Sequence, residues 1–199
     1  MLLSVLLMMA GEEENPDIQL LRAAKNGDRN AFGELFRKYE NRVFRVARRM
    51  CGSDDEAWDI TQDAFIRAMQ AMDRYDTQYR FFTWIYRITT NLAINYAKKK
   101  SRRHEVHFEE AYSAEGQQVI EDNVADLASD EQLLGAVSRA VAKLTPSLKA
   151  VFVLRIDQQL SYSEIAESLD IAMGTVMSRL NRARMKIREE LGPMLEEWE

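Results

Sequence analysis

Apolar residues recur at intervals of three and four through most of this 199-residue chain, which is the spacing that builds one buried face of an α-helix. The sequence shows neither the alternation of a β-strand nor an internal repeat. Its eight glycines and three prolines are too few for a loop-rich β sandwich. We therefore predict an all-α protein.

Four helices are predicted in the first half of the chain. The first begins after Asp17, which is placed to cap it, and stops at Gly27. The other three cover about residues 30–51, 54–72 and 82–100, and each has one apolar side. Helices of this kind bury their apolar sides against one another, so we predict a small helical bundle.

Three helix starts carry capping sequences. Ser53 and Glu56 have the spacing of a capping box, and so do Ser161 and Glu164. Thr145 precedes a proline, which is the arrangement of an N-cap followed by proline at the first helical position. We therefore predict that a helix begins immediately after Ser53, Thr145 and Ser161.

The charge of the chain is segregated, although its net value is only −5. Residues 104–138 hold nine acidic residues and no Lys or Arg, and residues 189–199 hold five acidic residues and no base. The rest of the chain has 27 basic against 18 acidic residues. Two basic modules joined by an acidic connector suit a polyanion bound at two separate places, although two solvated helix ends would give the same pattern.

The composition divides the chain into an N-terminal tail (1–16), a helical bundle (17–103), a flexible acidic linker (104–128), a C-terminal helical domain (129–191) and an acidic tail (192–199). The 25 residues of the linker span at most about 80–90 Å when extended. The apolar run in the first ten residues is about half as long as a membrane span and lacks the basic lead of a secretion signal. We therefore expect a cytoplasmic protein without membrane insertion.

Residues 161–187 carry the strongest functional signal: a short helix, a tight turn and a longer basic helix, which is the helix-turn-helix pattern. Asp170 stands in the turn, where such motifs commonly carry Gly. Thr175 is predicted to cap the second helix, whose first N–H groups would then face a phosphate. A plain helical hairpin with a basic solvated face is the alternative. The predicted DNA contacts are Thr175, Ser178, Arg179, Asn181, Arg182, Arg184 and Lys186.

A second candidate site lies in residues 75–103, where aromatic residues alternate with basic residues and asparagines. A protein that holds single-stranded DNA needs flat rings for stacking and cations for the backbone. The alternative is that Trp84, Phe82 and Tyr86 belong mostly to the core. The predicted contacts are Tyr75, Tyr79, Phe82, Trp84, Arg87, Asn91, Asn95, Lys98, Lys99, Arg102 and Arg103.

A third candidate site is a polar stripe on the third predicted helix, formed by Asp55, Asp59, Gln62 and Asp63. An acidic stripe of this kind suits a basic partner helix, although an ordinary solvated face would look the same.

Three segments together resemble the extracytoplasmic-function (ECF) sigma factors of bacterial RNA polymerase. The segment GTVMSRLNRAR (174–184), with the helices before it, is similar to the C-terminal promoter-reading domain of sigma factors. The segment FTWIYRITTNLAIN (82–95) resembles the helix that recognises and opens the −10 element. The segment DEAWDITQDAF (55–65) resembles the part that docks on RNA polymerase. The three segments follow one another in the order found in the family. The length of the chain fits the minimal members of the family, which have two domains.

The resemblance implies a role for each domain. The N-terminal bundle would be a region 2-like domain that binds core RNA polymerase through the β′ clamp and opens the −10 element, with a base pocket formed by loop 73–81. The C-terminal helix-turn-helix domain would be a region 4-like domain that reads the −35 element beside the β flap. The linker is long enough for this, since the two elements lie about 50–70 Å apart. The family is usually held inactive by an anti-sigma factor and often serves stress or envelope responses.

Two other functions remain open from the residues alone. A stand-alone helix-turn-helix activator or repressor would explain residues 129–191 but gives the first hundred residues no role. An enzyme acting on nucleic acid would need metal-ligating carboxylates, for which only Asp54, Asp55 and Asp59 are available. We therefore predict a non-catalytic protein without a small-molecule substrate.

The remaining polar signals are weak. His104 and His107 are spaced like a metal pair, but no third ligand is near in the sequence, so we predict neither a metal nor a cofactor. Cys51 is the only cysteine. We predict that it is a buried inert thiol, and the alternative is a redox sensor.

Overall fold

A computed structural model describes residues 17–107 and 128–196, with side chains for 17–100 and 133–192. Within these residues every regular element is a helix, which confirms the predicted all-α class. The N-terminal elements are α1 (Ile18–Lys25), α2 (Arg29–Cys51), α3 (Asp54–Gln70), a 3₁₀ turn (Met72–Arg74) and α4 (Phe81–His107). The C-terminal elements are α5 (Ala128–Ala142), α6 (Pro146–Ile156), α7 (Tyr162–Leu169) and α8 (Met173–Glu196).

Two helices extend beyond their predicted ends. Helix α4 continues to His107, so its last turn occupies the start of the predicted linker. Helix α8 begins at Met173, and the N–H of Thr175 donates to the Ala172 carbonyl at 2.8 Å. Thr175 therefore lies inside the first turn, and the prediction that it caps this helix is wrong. Residues 108–127 of the predicted linker and the N-terminal tail lie outside the described residues, as do residues 197–199 of the C-terminal tail; Ala128, the last residue of the predicted linker, begins α5.

The capping box at the start of α7 is confirmed. The Ser161 side chain accepts from the Glu164 N–H, and the Ser161 N–H donates to the Glu164 carboxylate at 2.7 Å. The turn after α7 is closed by Asp170, whose φ of 55° and ψ of 51° put it in the left-handed region. Asp170 therefore adopts the conformation for which such turns often use glycine.

The other predicted side-chain caps do not form. Ser53 and Thr145 occupy N-cap positions, but neither side chain makes a capping hydrogen bond. Glu56, the expected partner of Ser53, instead accepts from the Tyr96 hydroxyl and from the Lys100 ammonium. A tertiary contact with α4 thus replaces the local one, because a hydroxyl and an ammonium together bind a carboxylate more strongly than one backbone N–H does.

Asp17 also forms a tertiary contact instead of the predicted cap. It is only 1% exposed, and its carboxylate accepts from the Tyr39 hydroxyl and the Lys38 ammonium on α2. Burial, and then the hydrogen bond to Asp17, raise the pKa of Tyr39. The start of α1 is therefore fixed to the middle of α2.

The core of the N-terminal bundle differs in detail from the predicted apolar faces. Tyr86 and Ile85 are fully buried. The apolar spacing predicts that Ile88, Leu92 and Met69 are buried too, but Ile88 and Leu92 are only partly covered and Met69 is 51% exposed. The apolar spacing does not predict the buried face correctly, because threonines occupy part of that face beside the apolar residues. The fully buried hydroxyls are bonded to carbonyl oxygens of the preceding helical turn, which lets them face inward; they belong to Thr61, Thr89 and Thr90.

The N-terminal bundle and the C-terminal helices pack directly on one another. Helix α4 lies against α7 and α6, and α2 lies against α6. A single cluster of buried apolar residues continues from the bundle into α6, α7 and α8. Among the described residues, we find no helix with the length and apolar character that crossing a bilayer requires.

Candidate nucleic-acid interface

The outer face of α8 presents polar and cationic side chains to solvent. Its opposite face is anchored in the core by Val176 and Leu180, which are at most 1% exposed. The exposed positions include most of the predicted DNA contacts: Ser178, Asn181, Arg182, Arg184 and Lys186. Thr175 and Arg179 are half-buried on the same helix. The structure thus brings the predicted −35 residues onto one helix that follows the left-handed turn.

The chemistry of this face suits a duplex. Arginine and asparagine can each make two hydrogen bonds to a base edge in the major groove, and the remaining cations suit phosphates. Met177 and Met185 are 46% and 53% exposed beside them and were not among the predicted contacts. The apolar tips of these methionines suit contact with thymine methyl groups. The sequence signal for them is that both methionines stand among the arginines of the same helix.

A cavity of about 460 Å³ lies at the start of α4, where the loop after the 3₁₀ turn meets the helix. Its N-terminal walls include Tyr75, Tyr79, Trp84 and Arg87. The Tyr75 and Trp84 rings are 4.7 Å apart between centroids. Such aromatic walls with a neighbouring guanidinium are what an extruded base requires.

Tyr75 lines this cavity and is held in place by hydrogen bonds at both its hydroxyl and its backbone. It is 3% exposed, its hydroxyl donates to the Tyr79 carbonyl at 2.5 Å, and its own carbonyl accepts from the Lys25 ammonium at 2.7 Å. Burial raises the pKa of Tyr75, so its hydroxyl remains a donor over the physiological range. The Tyr79 side chain, by contrast, is 53% exposed.

The remaining predicted contacts on α4 divide between surface and core. Asn91, Asn95, Lys98 and Lys99 are exposed, whereas Phe82 and Trp84 are half-buried. The side chains of Arg102 and Arg103 lie outside the described residues. A core position was the alternative that we gave for Tyr86, and the structure shows it there. Tyr86 is 1% exposed, and burial raises its pKa to about 12.

Arg87 is engaged by the C-terminal domain. Its guanidinium donates to the Glu167 carbonyl at 2.7 Å and lies 3.4 Å from the Asp170 carboxylate. Glu167 and Asp170 therefore form the part of the cavity wall that comes from the C-terminal domain. Because these contacts are separated by some eighty residues along the chain, no local pattern could have predicted them.

The polar stripe on α3 faces solvent. Asp55, Asp59 and Gln62 are exposed, and Asp63 is partly exposed and paired with Arg67 at 3.0 Å. Trp58 lies on the same helix, 42% exposed and stacked on Phe44 with 4.4 Å between ring centroids. We did not predict Trp58 as part of this surface. Its sequence signal is its spacing, three residues after Asp55 and four before Gln62.

The weak signals concern Cys51 and the two histidines. Cys51 is half-buried, and burial raises the pKa of its thiol, which makes it less reactive. In the described parts of the chain we find no group of three or more potential metal-ligating side chains. The side chains of His104 and His107 are not among the described residues.

Comparison with known families assigns both domains. Residues 35–103 match the model of Sigma-70 region 2, and residues 134–187 match that of Sigma-70 region 4. The fold and its basic helix-turn-helix domain thus define a two-domain protein of the Sigma-70 class.

Two relatives show which family within the Sigma-70 class the chain belongs to. The chain is 35% identical over 177 residues to the ECF RNA polymerase sigma factor SigW of Bacillus subtilis, covering 86% of this chain and 94% of that one. It is 34% identical over 188 residues to the ECF RNA polymerase sigma-E factor of Escherichia coli, with coverages of 92% and 98%. The chain therefore belongs to the ECF sigma factors of RNA polymerase.

Solved structures share the fold. The CnrH chain, solved in complex with the cytosolic domain of CnrY, matches with a TM-score of 0.64 at 23% identity, covering 89% of this chain and 97% of that one. The sigma factor RpoE from Bartonella quintana, in complex with the anti-sigma factor NepR, matches with a TM-score of 0.61 at 20% identity, with coverages of 81% and 96%.

Proposed function

We propose that this chain is a non-catalytic, cytoplasmic specificity subunit that brings core RNA polymerase to a defined set of promoters. In this proposal α8 reads the −35 element, while α4 and the loop before it capture and open the −10 element. Opening a duplex costs about 1.4 kcal/mol per stacked step, and capture of an extruded base offsets part of that cost.

The observation that carries the proposal is the presence of two different DNA-suited surfaces on one chain. The α8 face is convex and cationic, which suits the major groove of a duplex. The cavity beside Tyr75 and Trp84 is concave and aromatic, which suits a single unpaired base. A stand-alone helix-turn-helix repressor needs the first surface only.

The exposed stripe on α3 supplies the docking surface for polymerase in this proposal. Asp55, Asp59 and Gln62 offer carboxylate and amide groups to a basic helix of the β′ clamp, and Trp58 adds an apolar contact beside them. An exposed aromatic residue next to charges is typical of the centre of a protein interface. The region 4-like domain would meet the β flap.

We also propose control by an anti-sigma factor. The structural neighbours CnrH and RpoE were each solved with a partner protein, and the partner of RpoE is an anti-sigma factor. The two chains share the present fold, so a partner of this kind has similar surfaces available here.

Run-off transcription tests the proposal directly. Purified core polymerase is incubated with a fragmented genomic library, with and without the chain, and the 5′ ends of the RNAs are sequenced. We expect a new set of start sites that share two upstream elements. Binding of the chain alone to duplex targets, without any new start site, would contradict the proposal and favour a stand-alone repressor or activator.

A further inference from the structure

Helix α1 packs against the part of the bundle that carries the base cavity. Its apolar side belongs to the core, since Leu21 is fully buried and Ala24 is 8% exposed. The helix contacts α2 and the 3₁₀ turn that directly precedes Tyr75 in the sequence. Of the described residues that line the cavity, none belongs to α1. Helix α1 can therefore act on the cavity only through the residues that it contacts.

The C-terminal end of α1 is bonded to the backbone of the cavity wall. Lys25, the last residue of the helix, donates from its ammonium to the Tyr75 carbonyl at 2.7 Å. Tyr75 lines the cavity, and its hydroxyl donates to the Tyr79 carbonyl. Lys25 thus holds the chain where the loop 76–80 begins, while the Tyr75 hydroxyl holds it near the end of that loop. A charged donor makes the stronger of these two kinds of hydrogen bond.

The N-terminal end of α1 is fixed to the core beneath the same rings. The buried Asp17 carboxylate, which directly precedes α1, accepts from the Tyr39 hydroxyl. The centroid of the Tyr39 ring lies 5.2 Å from that of the fully buried Phe81 ring. The Phe81 centroid in turn lies 5.9 Å from that of Trp84 and 6.3 Å from that of Tyr75. Lys25 therefore extends from a helix that is itself firmly attached to the bundle.

The loop 76–80 has little support of its own. None of its residues is buried, so apolar packing contributes little to its position. A binding loop that is already held in place loses less conformational entropy when it takes up a ligand, and this raises the affinity. The hydrogen bonds at Tyr75 are therefore where the position of the loop can be controlled.

We propose that α1 is a brace for the base cavity and that Lys25 is a positioning residue for opening of the −10 element. Lys25 does not touch the base in this proposal, because it acts through the Tyr75 carbonyl. The inference rests on the proposed function, since it takes the cavity to be the site of an extruded base. It goes beyond that function because α1 belongs to neither of the two DNA surfaces nor to the stripe on α3.

The rate of promoter opening by the complete polymerase complex tests the role of Lys25. Lys25→Met removes the ammonium and keeps an apolar stem, whereas Lys25→Arg keeps a charged donor. Because Lys25 is an exposed residue, we expect its bond to have the effect of a neutral one, which is about a fivefold slower opening with Lys25→Met. Lys25→Arg should open promoters at nearly the wild-type rate. The control is Arg22→Met, which removes another exposed cation of α1 and should leave the rate unchanged.

Binding to a forked template separates positioning from general stability. The −10 element of this DNA is already unpaired, and an abasic site replaces each of its bases in turn. The wild-type complex should lose affinity where the missing base is the one that enters the cavity. We expect this loss to be about fivefold smaller for Lys25→Met, because a loosened cavity gains less from the base. A merely structural defect would weaken binding of the complete and the abasic DNA equally.

Equal opening rates for Lys25→Met and Arg22→Met would overturn the inference, and so would a wild-type abasic effect in Lys25→Met. Lys25→Arg as slow as Lys25→Met would also overturn it, because the charged donor would then not be the cause. Should Lys25→Met fail to fold by circular dichroism, Lys25→Ala decides by the same comparisons, since alanine favours the helix. If no abasic position weakens binding of the wild type, the proposed base cavity itself is contradicted. A normal wild-type abasic effect with no change in the Lys25 variant contradicts the brace alone.

Discussion

The hydroxyl of Tyr75 gives the sharpest test of the base cavity. Tyr75→Phe removes the hydrogen bond to the Tyr79 carbonyl and keeps the ring that stacks on Trp84. A neutral hydrogen bond contributes about 1 kcal/mol net, so we expect the free energy of unfolding of the N-terminal domain to fall by that amount. The loop that carries Tyr79 would be held in its cavity-forming position about fivefold less well.

The assay is promoter opening by the complete polymerase complex, measured as permanganate reactivity of unpaired thymines. We expect up to about a fivefold lower fraction of open complexes, because loop position limits base capture. Binding to the duplex −35 element should not change. Tyr162→Phe, the same chemical change on the half-buried tyrosine at the start of α7, serves as the control.

Open complexes as abundant for Tyr75→Phe as for the wild type would refute this reasoning. The hydrogen bond at 2.5 Å would then have no part in positioning the loop. Equal losses in the Tyr75 and Tyr162 variants would refute it as well, because the effect would then be one of general stability.

The other predictions concern caps and the two remaining surfaces. Ser161→Ala should lower the free energy of unfolding by about 1 kcal/mol in urea, whereas Thr145→Ala should stay within a few tenths; equal losses would contradict the observed capping. Arg179→Ala should reduce transcription from promoters that depend on the −35 element by about five- to 150-fold with polymerase affinity intact, and loss of polymerase binding would contradict the assignment. Reversing Asp59 and Asp63 to arginine should weaken binding of core polymerase at least tenfold in a pull-down titration, and unchanged affinity would remove the stripe from the docking surface.

Most of the helices were predictable from the sequence because their signals are local. The apolar spacing along α2 and the capping box of Ser161 and Glu164 involve residues within one or two turns of each other. The place of Asp170 in the turn also followed from the motif alone, and the structure adds that its backbone is left-handed. Such features depend little on the rest of the fold.

Two of the failures, those at Asp17 and Glu56, share one physical cause, which is competition from tertiary partners. Asp17 and Glu56 are both predicted to interact with nearby backbone or cap groups, yet each is bonded to side chains of a distant helix. A charged or hydroxyl donor from another helix outweighs one backbone N–H. No spacing pattern in the sequence indicates which residues form such tertiary pairs.

The candidate site was predicted in its composition but not in its arrangement. The exposed cations of α8 follow from the helical period, whereas the burial of Tyr75 and the engagement of Arg87 by the other domain depend on the tertiary packing. Trp58 was missed because an aromatic residue inside a helix is more often part of the core.

The central claim is that the two DNA-reading surfaces act together on one promoter while polymerase carries them. Inserting five base pairs between the −35 and −10 elements of a responsive promoter rotates one element by about half a helical turn relative to the other. We expect run-off transcription to fall to the level of the same promoter without its −35 element. Undiminished transcription from the lengthened promoter would contradict the claim, because the surfaces of α8 and α4 would then not be working as a pair.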